Sequence, residues 1–85
     1  MASYSLGIKR SAAGELEALA RDDRMRIIER IRALAADPRP RGCEKLSGEE
    51  KYRVRVRDLG VLYEVNDRLA AIAIVKIGHR RDVHR

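Results

Sequence analysis

The residues best suited to chemistry lie in one short run, Lys51-Tyr-Arg-Val-Arg-Val-Arg57. With the two-residue period of a strand, Tyr52, Val54 and Val56 point to one face and Arg53, Arg55 and Arg57 to the other. Neighbouring arginines on that face stand about 7 Å apart, close to the phosphate spacing of a nucleic-acid backbone. A guanidinium is a permanent cation with paired donors, well matched to phosphate but unable to accept a proton. The side chains that titrate near neutrality are His79 and His84, both in the closing stretch Gly78-His-Arg-Arg-Asp-Val-His-Arg85. Each of these features also has a plainer reading. The arginines can be the solvated face of an amphipathic strand, and Arg80 a salt-bridge partner of Asp82 or Glu64. His79 can be a surface residue and His84 part of a frayed chain end.

The distribution of charge agrees with a cationic second half. The net charge is +6; residues 1–38 carry seven Lys/Arg against six Asp/Glu, and residues 39–85 carry twelve against seven. The first half is therefore a nearly neutral scaffold, and the positive surface belongs to the second. That asymmetry favours a polyanionic partner. With 85 residues there is room for a single domain, 1–85, around one core. Phe and Trp are absent, so the core must come from Leu, Ile, Val and Ala. No apolar run approaches the roughly 20 residues of a membrane helix, and the N-terminus lacks a signal-peptide layout. The lone Cys43 has no disulfide partner, as expected in a reducing cytoplasm, and no neighbours for a metal site. Neither a metal-ligand cluster nor a phosphate-binding glycine loop is present, so no cofactor is implied.

The elements that must position these residues follow from periodicity. Residues 4–9 alternate weakly and predict a first strand. Ser11 is a plausible N-cap for a helix to about Ala20, with Ala12, Leu16, Leu19 and Ala20 inward and Glu15, Glu17 and Arg21 outward. Asp22 or Asp23 can cap a second helix whose stripe is Met25, Ile28, Ile31, Leu34 and Ala35. The prolines of Asp37-Pro-Arg-Pro-Arg-Gly42 end it. A link of two or three residues between the helices predicts an antiparallel helical hairpin. Residues 44–48 read as a short extended piece or a turn, followed by strand 51–57. Asp58 and Gly60 mark a tight turn, 61–65 a strand, 66–68 a turn, and 70–77 an almost wholly apolar strand in the middle of the sheet. Tyr52 and Tyr63 read as aromatics at the core edge with wet hydroxyls, and Glu49 and Glu50 as a solvated turn. The result is an α+β fold of two layers: an antiparallel sheet in the order β-α-α-β-β-β, a helical hairpin on one face and an open basic face on the other.

At this level of detail the chain resembles the RelE/ParE superfamily of type II toxin–antitoxin toxins over essentially its whole length. The resemblance rests on Asp37-Pro-Arg-Pro-Arg-Gly42, Lys45-Leu-Ser-Gly48, Tyr52-Arg-Val-Arg-Val56, Val61-Leu-Tyr-Glu-Val65 and Ile77-Gly-His-Arg-Arg-Asp-Val-His-Arg85, in that order and spacing. It implies a RelE-like two-layer fold. It also implies a ribosome-dependent messenger RNA endonuclease held inactive by a cognate RelB-like antitoxin, with ribosome and messenger RNA as further partners. Carried over residue by residue, the basic positions on the strand are Arg53 and Arg55, and the one after the last strand is Arg80, aided by Arg81. Two positions depart from the family pattern: Gly60 stands where members often have Arg, and His84 where the final aromatic is usually Tyr.

RNA cleavage by transesterification needs the 2′-hydroxyl proton removed, the crowded phosphorane stabilised, and a proton delivered to the leaving 5′-oxygen. Arginine serves the second need. The expected catalytic set is thus Arg53, Arg55, Arg80 and His84, the last as acid, base or stacking group. RNA contacts are expected from Lys51, Arg57, Lys76, His79, Arg81 and Arg85. Two other readings stay open: a ParE-like inhibitor of DNA gyrase that cuts nothing, and an attenuated toxin that only binds its antitoxin.

Overall fold

The computed structural model describes residues 3–46 and 50–79. Its elements are β1 (Ser5–Ile8), α1 (Arg10–Glu17), α2 (Arg21–Ala36), β2 (Glu44–Lys45), β3 (Lys51–Val56), β4 (Leu59–Asn66) and β5 (Ala71–His79). They form one five-stranded sheet in the order β1-β5-β4-β3-β2. The α+β layout and the three consecutive antiparallel strands β3, β4 and β5 match the expectation. Two features lie beyond it. β1 joins the sheet parallel to β5, with Leu6 opposite Ile72 and Ile8 opposite Ile74. Residues 44–45 form a fifth short strand, which sets Glu44 opposite Arg53.

One core fills the space between sheet and helices. Tyr52 and Val54 on β3, Leu59, Val61, Tyr63 and Val65 on β4, and Ile72, Ile74 and Ile77 on β5 meet Ala12, Ile27 and Leu34 from the helices. The apolar stripe of α2 is Ile27, Ile31 and Leu34, spaced i, i+4, i+7, rather than the stripe expected from Met25 and Ile28. Met25, 57% exposed, points away from the sheet. β5 lies inside the sheet, between β1 and β4, as expected; β4 is the more deeply buried, with five consecutive buried residues from Leu59 to Tyr63.

The helix starts also differ from the caps suggested by side-chain chemistry. α1 begins after Lys9 and α2 after Ala20, both in extended geometry and neither with a side-chain cap. Ser11 therefore lies within α1, while Asp22 and Asp23 occupy the first turn of α2, where carboxylates suit the helix dipole. The link between the helices is three residues long, 18–20.

The register of β5 depends on a bulge. Leu62 pairs with Lys76 but Tyr63 with Ile74, which leaves Val75 as an extra residue. Strict alternation along 72–77 would place Ile72, Ile74 and Lys76 on one face. The bulge instead sends Ile77 to the core and Lys76 to the opposite face, because one added residue reverses every later side chain.

Candidate functional site

The sheet face away from the helices carries the cations. Register places Lys51 opposite Glu64, Arg53 opposite Leu62, and Arg55 opposite Gly60; across β4 these align with Ala73, Lys76 and Gly78 of β5. Arg53 and Lys76 thus flank Leu62 from either side, about 10 Å apart at the strand spacing. Leu62 is 1% exposed yet lies outside the helix-side core, so the face has a small apolar floor of its own.

Glu44 organises the arginines of this face. Its Oε1 accepts from Arg53 Nε at 3.1 Å, and it lies 3.0 Å from Arg53 NH2 and 3.2 Å from Arg55 NH2. Two guanidiniums therefore converge on one anionic oxygen. The Arg53 side chain is 14% exposed and that of Arg55 49%, so the first is packed down and the second reaches outward. Sequence reading missed Glu44, since a two-residue strand has too little periodicity to show its face. Lys51 is balanced by Glu64, with Nζ 3.7 Å from Oε2.

Other expected positions are placed differently. β3 ends at Val56, so Arg57 is not the third member of a strand stripe. It is the first residue of the β3–β4 turn and has φ 59°, in the left-handed region. His79 pairs with Leu59, which pairs with Val56, so it sits exposed at the end of the core-side row and not on the Arg53/Arg55 face. The bulge is the reason. Gly60, where the resemblance implies an arginine, is buried and has no side chain to donate. Arg80, Arg81, His84 and Arg85 lie outside the described residues. Among the described residues no His, Cys, Asp and Glu group could hold a metal ion, and no helix is long and apolar enough to cross a membrane.

The end of the sheet bearing the β4–β5 turn is held by a polar network. Arg39 donates to Asp67 through two nitrogens, at 3.1 and 2.7 Å, and to the Tyr52 hydroxyl at 2.8 Å. Its guanidinium lies 5.1 Å from the centre of the Tyr52 ring, a cation–π distance. Tyr52 donates to Glu50 at 2.7 Å, and Tyr4 to Asp67 at 2.6 Å. Hydrogen bonding from Tyr52, with Lys45 nearby, lowers the Glu50 carboxyl below its usual range; hydrogen bonds from Arg39 and Tyr4 do the same for Asp67.

Both core tyrosines engage their hydroxyls with protein partners. Tyr63, fully buried, donates to the Pro38 carbonyl at 2.7 Å, and burial raises its pKa above the ordinary value. Glu15, expected to face outward, accepts from Ile77 N at 2.9 Å. It satisfies β5 backbone beyond Ile74, where pairing with β1 ends.

Comparison with known proteins follows the same outline. The family model described as "ParE toxin of type II toxin-antitoxin system, parDE" matches residues 6–84. No curated protein matches by sequence. Among solved structures, a chain of the Mycobacterium tuberculosis RelBE2 toxin–antitoxin complex superposes with a TM-score of 0.80 at 21% identity, covering 92% of this chain and 99% of that one. A chain of the archaeal RelE–RelB complex from Pyrococcus horikoshii gives 0.80 at 27% identity, over 92% and 96%. The isolated Escherichia coli RelE toxin gives 0.81 at 21% identity, over 91% and 84%.

Proposed function

We propose that this chain, which belongs to the ParE toxin family of type II toxin–antitoxin systems, is a toxin that cuts messenger RNA on the ribosome. The observation that carries this reading is the convergence of Arg53 and Arg55 on the single oxygen Glu44 Oε1. Two fixed cations that share an anionic oxygen can hold a non-bridging phosphate oxygen in the same way. They stabilise the charge that grows there in the phosphorane.

In the proposed reaction the 2′-oxygen attacks phosphorus and the P–O5′ bond breaks, leaving a 2′,3′-cyclic phosphate and a 5′-hydroxyl. The 2′-hydroxyl proton passes to a base and another proton reaches the departing 5′-oxygen. Arginine can do neither at neutral pH. His84 is assigned one of these transfers. Arg80, aided by Arg81, supplies further charge, and Lys51, Lys76 and Arg85 bind the flanking backbone. His79, on the core-side row, serves the tail rather than the phosphate.

The cognate antitoxin is the proposed protein partner, since the solved relatives include RelB–RelE complexes. A site for it is available beside β1, the edge strand. There Leu6, Ile8, Leu16, Ile28 and Ile31 line an apolar groove of about 250 Å³ next to Ile74. Leu6 and Ile8 are 40% and 42% exposed, and a helix or added strand would cover them.

A second reading is favoured by one finding: the matching family model is that of ParE. In that reading the chain inhibits DNA gyrase and cuts nothing. Primer extension on messages from cells briefly expressing the chain separates the two, run beside an Arg53→Ala/Arg80→Ala variant. Discrete cuts within translated codons, lost in the variant, are expected; losing one charge-stabilising donor typically lowers a rate about 10²–10³-fold. Arrested replication with DNA damage and intact messages would instead establish gyrase. Intact messages with unaffected growth would mark an attenuated toxin.

A further inference from the structure

A second set of arginines lies around the corner of β3. β2 pairs only with Tyr52 and Arg53, so beyond Arg53 the outer edge of β3 has no neighbouring strand among the described residues. There α2 and the end of β3 enclose a groove of about 360 Å³. Arg26 and Arg30 line it from the helix, one turn apart, and Arg55 and Arg57 from the strand and its turn. Glu29 is the one carboxylate in the lining, and it forms no ion pair with any of them among the described residues.

Arg55 is paired with Glu44, whereas Arg26, Arg30 and Arg57 form no ion pair among the described residues. Arg30 Nε is buried without a hydrogen-bond partner, a state folded proteins avoid. Arg57 sits at φ 59°, where Gly, Asn or Asp is the ordinary residue. The chain accepts a strained backbone there and keeps a guanidinium at the mouth of the groove.

We propose that this groove binds phosphodiester groups of RNA flanking the segment held on the Arg53/Lys76 face, to which Arg55 joins it. The proposal rests on the RNA reading above. Rigid, forked donors suit phosphate oxygens. An acidic protein segment is the competing occupant. It would need apolar anchors, and the groove offers only Ala33 and Val56, whereas the β1 groove is apolar almost throughout.

The test is equilibrium binding of the full chain to a short fluorescent 2′-O-methyl oligoribonucleotide, which cannot be cut because it lacks the 2′-hydroxyl. Arg26→Gln and Arg57→Gly should each weaken binding about 3- to 10-fold and reduce the salt dependence by about one phosphate contact. Arg57→Gly should leave the urea midpoint equal or higher, because glycine relaxes the left-handed turn. Its effect on RNA therefore cannot be ascribed to misfolding. Unchanged RNA affinity in both variants overturns the proposal. So does unchanged RNA affinity with weaker binding of polyglutamate, which would give the groove to an acidic protein segment. If messages are not cut in cells while the variants still lose RNA affinity, the nuclease reading fails and the groove stands. If cutting persists and the variants bind RNA normally, the groove alone fails.

Discussion

Glu44 gives Arg53 and Arg55 a shared anionic oxygen, and it competes with any phosphate for the same donors. Removing its charge should therefore favour RNA. Glu44→Gln is expected to raise affinity for a short uncleavable RNA several-fold at low salt, with a stability cost of about 1 kcal/mol or less, as for other partly exposed pairs. Titration of binding beside a urea curve checks both halves. An unchanged affinity would mean that the converging arginines do not meet RNA. The arginines themselves were legible as residues, from two-residue alternation alone. Their counter-ion was not, because whether Glu44 opposes Arg53 depends on the register of a two-residue strand.

At the scale of elements, the helix–sheet contact is made by a narrower stripe of α2 than its hydrophobic residues suggest. Ile27 and Leu34 are fully buried, whereas Met25 is mostly exposed. Leu34→Ala should cost about 2–5 kcal/mol through lost burial and an unfilled cavity, and Met25→Ala within about 0.5 kcal/mol of nothing. Urea denaturation of the two variants decides it; equal costs would mean that α2 packs through another face. Helical periodicity located α2, but several apolar residues fit more than one stripe, and only the sheet selects among them. β5 shows the same limit. Its apolar run predicted a strand, but the bulge at Val75 decided that Lys76 joins the arginine face and His79 does not.

At the scale of the whole molecule, Arg39 ties together parts of the chain that are distant in sequence. Through Asp67, Tyr52 and Glu50 it links the loop after α2 to β3 and the β4–β5 turn, and Tyr4 joins through Asp67. The carboxyls of Glu50 and Asp67 are lowered in the folded chain. Their contribution to stability is therefore present above their ordinary values, 4.5 and 3.8, and is lost as pH falls through the lower folded values. Arg39→Met should be less stable than the parent at neutral pH, and the two stability curves should converge on acidification. Chemical denaturation across the acid range measures this. Parallel curves down to about pH 2 would assign Arg39 a packing role over Tyr52 instead of an electrostatic one.

Taken by itself, the sequence determined the fold class, the helix and strand positions to within a few residues, the core-facing side of β3, and the cationic second half. These follow from local rules: period 2 or 3.6, proline and glycine punctuation, and the chemistry of arginine. Only the tertiary structure decided the parallel docking of β1, the pairing of β2, the bulge in β5, the left-handed turn at Arg57 and the helix face that meets the sheet. Each is a choice between arrangements that are nearly equal locally, and it is made by contacts between residues far apart in the chain. The two arginine clusters on either side of β3, and Arg55 between them, come from those choices.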